Sequence, residues 1–255
     1  MKSYTFLTAL ALAAATLSSS AVLASDYDPV KAKLKNAMAA DVRTSADTDR
    51  DRNRRPVETL EFFGLRDDMT VVELLPGGGW YTKLLAPVLA EKGTFYVAYG
   101  TSRVQDQLQG KPGFEKMQLI AADAEMGRAE GARFYTASNT DLGVKDVDMV
   151  LTFRNYHNFD GESRAALNKS VFKALKPGGI YGVVDHTRRH MQEYNAENRR
   201  RFDPVLAIKE IQAAGFELVD FSDLHYRADD ELVYEVGRKT VTGNTDRWTL
   251  MFRKP

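Results

Sequence analysis

Only four histidines occur in the 255 residues, and three of them, His157, His186 and His190, fall just after two apolar runs, 147–153 and 180–185. Imidazole titrates near neutral pH, so a histidine held in a crevice can take a proton from a hydroxyl or an amine. Asp185 stands beside His186 and could orient an imidazole ring. Arg154 and Tyr156 flank Asn155 just ahead of His157 and could orient a substrate. Arg154, Tyr156, His157, Asp185 and His186 therefore form the candidate catalytic set. The plainer reading is that each histidine caps a strand or bonds to nearby backbone, and it weakens when three share the same kind of position. His157, His186 and Asp185 could in principle hold a metal through two imidazoles and a carboxylate. Their spacing matches no i, i+4 pair or other zinc pattern, and neighbours on a continuing strand point to opposite faces. No metal is expected.

The second constellation is Val71-Val72-Glu73-Leu74-Leu75-Pro76-Gly77-Gly78-Gly79-Trp80. It reads as a strand, a glycine-rich turn and a helix start. Glycines let a ligand approach the backbone, and a helix N-terminus offers free N–H groups to a carboxylate or phosphate. A tight strand-to-helix connection would look the same, so the turn alone decides nothing.

The elements that must position these residues alternate along the chain. Strands are expected at 70–75, 94–99, 132–136, 147–153, 180–185, 216–221 and 247–252. Segment 117–121 fits either a strand or part of a helix. Helices are expected at 29–40, 56–63, 80–91 and 161–175, the last with Leu167, Val171 and Leu175 four apart on one face. Asp203-Pro204 starts a further helix that Gly215 stops. Apolar strands joined by helices indicate a parallel sheet covered on both faces. The expected fold class is α/β, a Rossmann-like three-layer sandwich with a mostly parallel seven-stranded sheet and an antiparallel edge pair. In such sheets ligands sit at the carboxyl ends of the strands, where both constellations fall.

On these residues the chain resembles the class I S-adenosylmethionine-dependent methyltransferases. Glu73 to Gly79 resembles their first motif, 147–151 their fourth strand, and Leu175-Lys176-Pro177-Gly178-Gly179 the turn before their fifth. The turn Pro76-Gly77-Gly78-Gly79-Trp80-Tyr81-Thr82 is similar to that of exported bacterial proteins described as predicted methyltransferases. The resemblance implies S-adenosylmethionine as cofactor, held by Glu73, Pro76, Gly77, Gly78 and Gly79. By position it implies roles for Tyr99, where the family has a ribose-binding acid, and for Ser138 and Asn139, near the adenine. It implies methyl transfer to a small nucleophile, with His157 or His186 as base.

Basic and acidic residues number 35 each and there is no cysteine. A balanced charge gives no general pull toward nucleic acid, and thiolate nucleophiles, disulfides and cysteine zinc sites are excluded. Residues 1–24 read as a signal peptide, with Lys2, an apolar run too short to span a bilayer, and a small-residue cleavage site at Ala24. The expected product is periplasmic or secreted, without a transmembrane segment after cleavage, with an N-terminal extension at 25–56 and a methyltransferase-like domain at 57–255. S-Adenosylmethionine is made in the cytoplasm, so export keeps a second reading open: a non-catalytic envelope binding protein for a nucleotide-like or anionic small molecule. The arginine runs at 50–55 and 199–201 are expected to be solvated side chains paired with Asp47, Asp49, Asp51 and Glu197. A lid over an acidic substrate is the alternative. Acceptor and oligomeric state are not encoded in any recognisable motif.

Overall fold

The computed structural model describes residues 15–255, with side chains from residue 27 onward. Of the expected signal peptide, residues 1–14 lie outside the described residues. Among the described residues no helix is long and apolar enough to cross a membrane.

Four helices precede the sheet: α1 (Ala15–Met38), α2 (Ser45–Thr48), α3 (Asp51–Arg54) and α4 (Pro56–Phe62). Then follow β1 (Thr70–Leu74), α5 (Thr82–Leu89), β2 (Thr94–Ala98), α6 (Ser102–Leu108) and β3 (Met117–Ile120). A small hairpin, β4 (Glu125–Gly127) with β5 (Thr136–Ser138), stands apart from the main sheet. β6 (Val147–Phe153), a 3-10 turn (Tyr156–Asn158), α7 (Gly161–Ala174) and β7 (Leu175–His186) come next. The chain ends with α8 (Pro204–Ala213), β8 (Glu217–Ser222) and β9 (Arg247–Arg253).

The seven-stranded sheet has the order β3-β2-β1-β6-β7-β9-β8. β9 alone runs against its neighbours, pairing antiparallel with both β7 and β8. Alternation along the strands divides the core in two. Val71, Phe95, Val97, Met149 and Leu151 pack on one side with α1, α4 and α5 residues, including Leu34, Leu60 and Leu84. Val72, Leu74, Val150 and Val183 pack on the other with Leu167, Val171 and Ile211 of α7 and α8. Each such fully buried aliphatic side chain contributes ~1.5–3 kcal/mol, which makes this double core the main support of the fold.

Local chemistry sets the helix starts. Asp160 caps α7 by accepting from the Ser163 N–H at 2.8 Å, and Asp203 caps α8 by accepting from Val205 at 2.9 Å, with Pro204 in the first turn. The expected fold class is the observed one. One strand differs: the third member of the main sheet is β3, at 117–120, rather than 132–136. The latter segment leads into β5, whose Ala137 N–H is bound by Ser163 Oγ of α7 at 2.8 Å. β3 is a short edge strand with only Met117 buried, so its sequence carries little apolar periodicity.

Candidate functional site

Strand order reverses between β1 and β6, since β2 and β3 lie on one side of β1 and β6 and β7 on the other. Loops leaving neighbouring strands in opposite directions open a crevice at such a point. The turn after β1 enters it with left-handed backbone at Leu75 and Gly77 (φ 53° and 58°). A Cβ added at Gly77 would meet nothing within 4 Å, and one at Gly78 would meet only Arg103 Cδ at 3.8 Å. These two glycines face open space. Gly79 is different: a Cβ there would lie 2.9 Å from both Leu108 and Val104, so it serves the packing of α6.

A cavity of about 320 Å³ fills this space, lined by Glu73, Pro76, Gly77, Gly78, Trp80 and Tyr81 together with Arg54 and Arg154. Glu73 is 3% exposed and accepts a hydrogen bond from Thr82 Oγ1 at 2.6 Å. Burial pushes its carboxyl up to about 7, against the opposing pull of the Thr82 hydroxyl and the Arg54 cation. Phe153 stacks on Tyr81 at 3.5 Å between ring centroids and closes the floor. The roof comes from the N-terminal segment. Trp80 Nε1 donates to the Asp47 carbonyl at 2.9 Å, and the Asp47 carboxylate pairs with Lys83 at 2.7 Å.

A second cavity of about 490 Å³ adjoins the first, sharing Arg50, Arg54 and Arg154 as walls. His157 and His186 line it. The fully buried Asp185 orients His157 rather than its sequence neighbour: Oδ1 lies 2.6 Å from His157 Nδ1, and Oδ2 accepts the His157 backbone N–H at 2.8 Å. Its Oδ1 also accepts from the His186 N–H at 2.7 Å. A carboxylate at Nδ1 holds the proton there and leaves the Nε2 lone pair as a base. His186 Nδ1 meets Thr245 Oγ1 at 2.9 Å. Burial first, then the Arg247 cation, hold His186 well below the usual histidine range, so it is neutral. The two rings lie 5.9 Å apart.

Within the arginine run at 50–55, Arg50 and Arg52 are exposed as expected, while Arg54 is buried and the expected acid partners are taken by other cations. Asp47 is taken by Lys83 and Asp51 by Arg43, while Glu197 meets Arg238 at 3.6 Å. Arg54 is 5% exposed, stacks on Trp80 at 4.3 Å, and its guanidinium makes no hydrogen bond among the described residues. In the second cluster Arg201 is fully buried and bidentate to Asp230, at 2.8 and 2.9 Å, which makes it a structural pair.

Other expected site residues lie elsewhere. Tyr156 points into the core, where its hydroxyl meets Glu210 at 2.8 Å and Asn168 at 3.0 Å. Tyr99 is buried among Val72 and Leu142 with its hydroxyl donated to the Thr140 carbonyl, so it reaches neither cavity. Ser138 lies in the β4–β5 hairpin, bonded to Glu125 at 3.2 Å, and Asn139 follows it in the exposed turn. His190 pairs with Asp203 at 2.9 Å and lines neither cavity. Among the described residues no group of three His, Asp or Glu side chains is placed to hold a metal ion. Sequence reasoning missed Arg54, Arg247 and Thr245. Nothing local singled out any of the three, and Arg54 lies among Asp47, Asp49, Asp51 and Glu58 in what reads as a solvated charge run.

No protein-family model and no curated protein matches the chain. Solved structures do match it. A SAM dependent methyltransferase from Aquifex aeolicus is 14% identical over 88% of this chain and 98% of its own, with TM-score 0.58. The cyclase SpnF is 15% identical over 90% and 93%, with TM-score 0.56. Human N-acetylserotonin methyltransferase in complex with SAM is 14% identical over 89% of this chain and 57% of its own, with TM-score 0.52. The chain therefore has the Rossmann-like fold of the S-adenosylmethionine-dependent methyltransferases. A cyclase among the matches shows that this fold does not fix the reaction.

Proposed function

We propose that the protein is an S-adenosylmethionine-dependent methyltransferase acting on a small molecule. The observation that carries this reading is His157, held by Asp185, on the wall of a cavity that shares Arg50, Arg54 and Arg154 with the Glu73–Gly78 cradle. The cradle fits the methionine end of the cofactor: Glu73 offers its carboxyl oxygens to the ammonium, and Gly77 and Gly78 leave the room. Departure from the family pattern falls at the ribose, where Tyr99, the residue after β2, stands in place of an acid. Loss of a carboxylate there weakens binding by ~1.5–3 kcal/mol, which a site with the rest intact tolerates.

Bound there, S-adenosylmethionine supplies an electrophilic methyl group. His157 Nε2 takes the proton from the acceptor hydroxyl or amine, and Asp185 keeps the ring in the required tautomer. Neutral His186, on the same wall, offers a second acceptor. The second reading, a binding protein without turnover, differs in one measurable respect. Transfer of labelled methyl from S-adenosylmethionine to a panel of hydroxyl and amine acceptors, abolished by His157→Gln with cofactor affinity kept, supports the enzyme. Cofactor binding without any transfer across the panel favours the binding protein. Residues 1–24 add the proposal that the protein works outside the cytoplasm; an N-terminal sequence of the native protein beginning at Ser25 tests it.

A further inference from the structure

Six arginines line the larger cavity, against one carboxylate, the exposed Asp49. Arg200 is neutralised by Glu235. Arg54 and Arg247 are 5% and 7% exposed, and neither has a carboxylate within ion-pair distance among the described residues. Arg247 gives one N–H to the Asn53 carbonyl at 2.9 Å, while the buried Nε atoms of Arg247 and Arg154 have no hydrogen-bond partner. Asp185 attracts Arg154 and Arg247 at longer range but bonds to His157 and His186 instead, and a guanidinium taken from water without a directly paired counter-charge is strongly unfavourable. Burial and mutual repulsion hold Arg54, Arg154 and Arg247 below the ordinary arginine range, Arg54 down to about 8 and Arg247 to about 10. Surface arginines swing into solvent; these are held by Trp80 stacking, by the strand end of β6 and by β9.

We propose that Arg54, Arg154 and Arg247 form an oxyanion-binding site and that the acceptor is a small molecule bearing a carboxylate or phosphate group, anchored there with its nucleophile toward His157 and His186. The acceptor role rests on the methyltransferase reading; the anion site does not. Planar guanidinium forks match both oxyanions, and three of them around one cavity favour a dianion. Phosphate and carboxylate differ in shape, so separate probes distinguish them.

The test is calorimetric titration of the full chain with inorganic phosphate, with succinate and with the neutral succinamide at constant ionic strength, alongside S-adenosylhomocysteine. At least one dianion is expected to bind, with succinamide silent. Arg54→Gln and Arg154→Gln are each expected to weaken that dianion by about tenfold or more, the scale of one charge-assisted hydrogen bond. Removing an unpaired buried cation is also expected to raise the melting temperature of ligand-free Arg54→Gln, whereas a structural arginine would lower it. Dianion binding without S-adenosylhomocysteine binding keeps the anion site and removes the methyltransferase reading. S-Adenosylhomocysteine binding with no dianion binding, or dianion binding unchanged in both variants, overturns the anion site.

Discussion

Asp185 Oδ1 sits 2.6 Å from Nδ1 of His157, although 28 residues and a helix separate them in the chain. The contact joins the ends of two adjacent parallel strands, β6 and β7, and fixes a base at the crevice. Replacing His157 with Gln is expected to lower methyl transfer by ~10²–10⁴-fold while leaving S-adenosylhomocysteine affinity within about twofold, measured by single-turnover kinetics and calorimetry. Asp185→Asn should lower transfer too, and it should also destabilise the chain, because an amide nitrogen would be turned toward N–H groups of His157 and His186. Unchanged turnover in either variant would remove the dyad from the mechanism.

Gly78 and Gly79 adjoin in sequence but have different jobs. Gly78→Ala places its methyl in open space, so the melting temperature is expected to stay near wild type while cofactor affinity falls. Gly79→Ala forces a Cβ against Leu108 and Val104 at a backbone φ of 75°, and should cost ~1–3 kcal/mol in chemical denaturation. Equal behaviour of the two variants would contradict this division.

Glu73 makes stability fall as pH rises. Its folded carboxyl is raised to about 7, above the 4.5 of the free group. Between those values the unfolded chain releases a proton that the folded chain keeps, so the folded state loses stability through this window, by about 3 kcal/mol in all. Glu73→Gln is therefore expected to flatten this slope and to stabilise the ligand-free chain at pH 8. It should weaken cofactor binding at the same time. Denaturation midpoints between pH 5 and 8 check the sign.

His225 acts in the opposite direction. It is buried between Thr249 Oγ1, at 2.7 Å, and the Arg54 carbonyl, at 3.0 Å, and burial lowers it to about 4. Below pH 6.5 the unfolded chain gains a proton that the folded chain refuses, so stability falls as pH drops toward 4, by about 3 kcal/mol. Because His225 holds the backbone of Arg54, hydrogen exchange in α3 and α4 should quicken first on acidification. Uniform protection there down to pH 4 would refute the link.

Strong apolar runs made most of the sheet legible. Val71 to Leu75 and Val147 to Phe153 are buried on both faces and allow no other element, and Pro204 and Asp203 mark α8 without ambiguity. β3 was ambiguous because an edge strand of four residues buries little. Glu73, Gly77 and Gly78 fall where the sequence placed them, on β1 and in the turn after it, since a strand, turn and helix are local. The partners of the histidines could not: Asp185 binds His157 across two strands, and Thr245 reaches His186 from 59 residues away. Tyr156 fell one position from His157 yet faces the core, because a 3-10 turn separates the two side chains. Arg54 was hidden by its neighbours, which look like any solvated charge run.

The most direct test of the account is calorimetric titration of the full chain with S-adenosylmethionine and S-adenosylhomocysteine. Micromolar binding is predicted, weakened by Glu73→Gln and by Gly78→Ala in chains that remain folded. No heat of binding up to millimolar ligand would contradict the cofactor site and leave a methyltransferase fold put to another use.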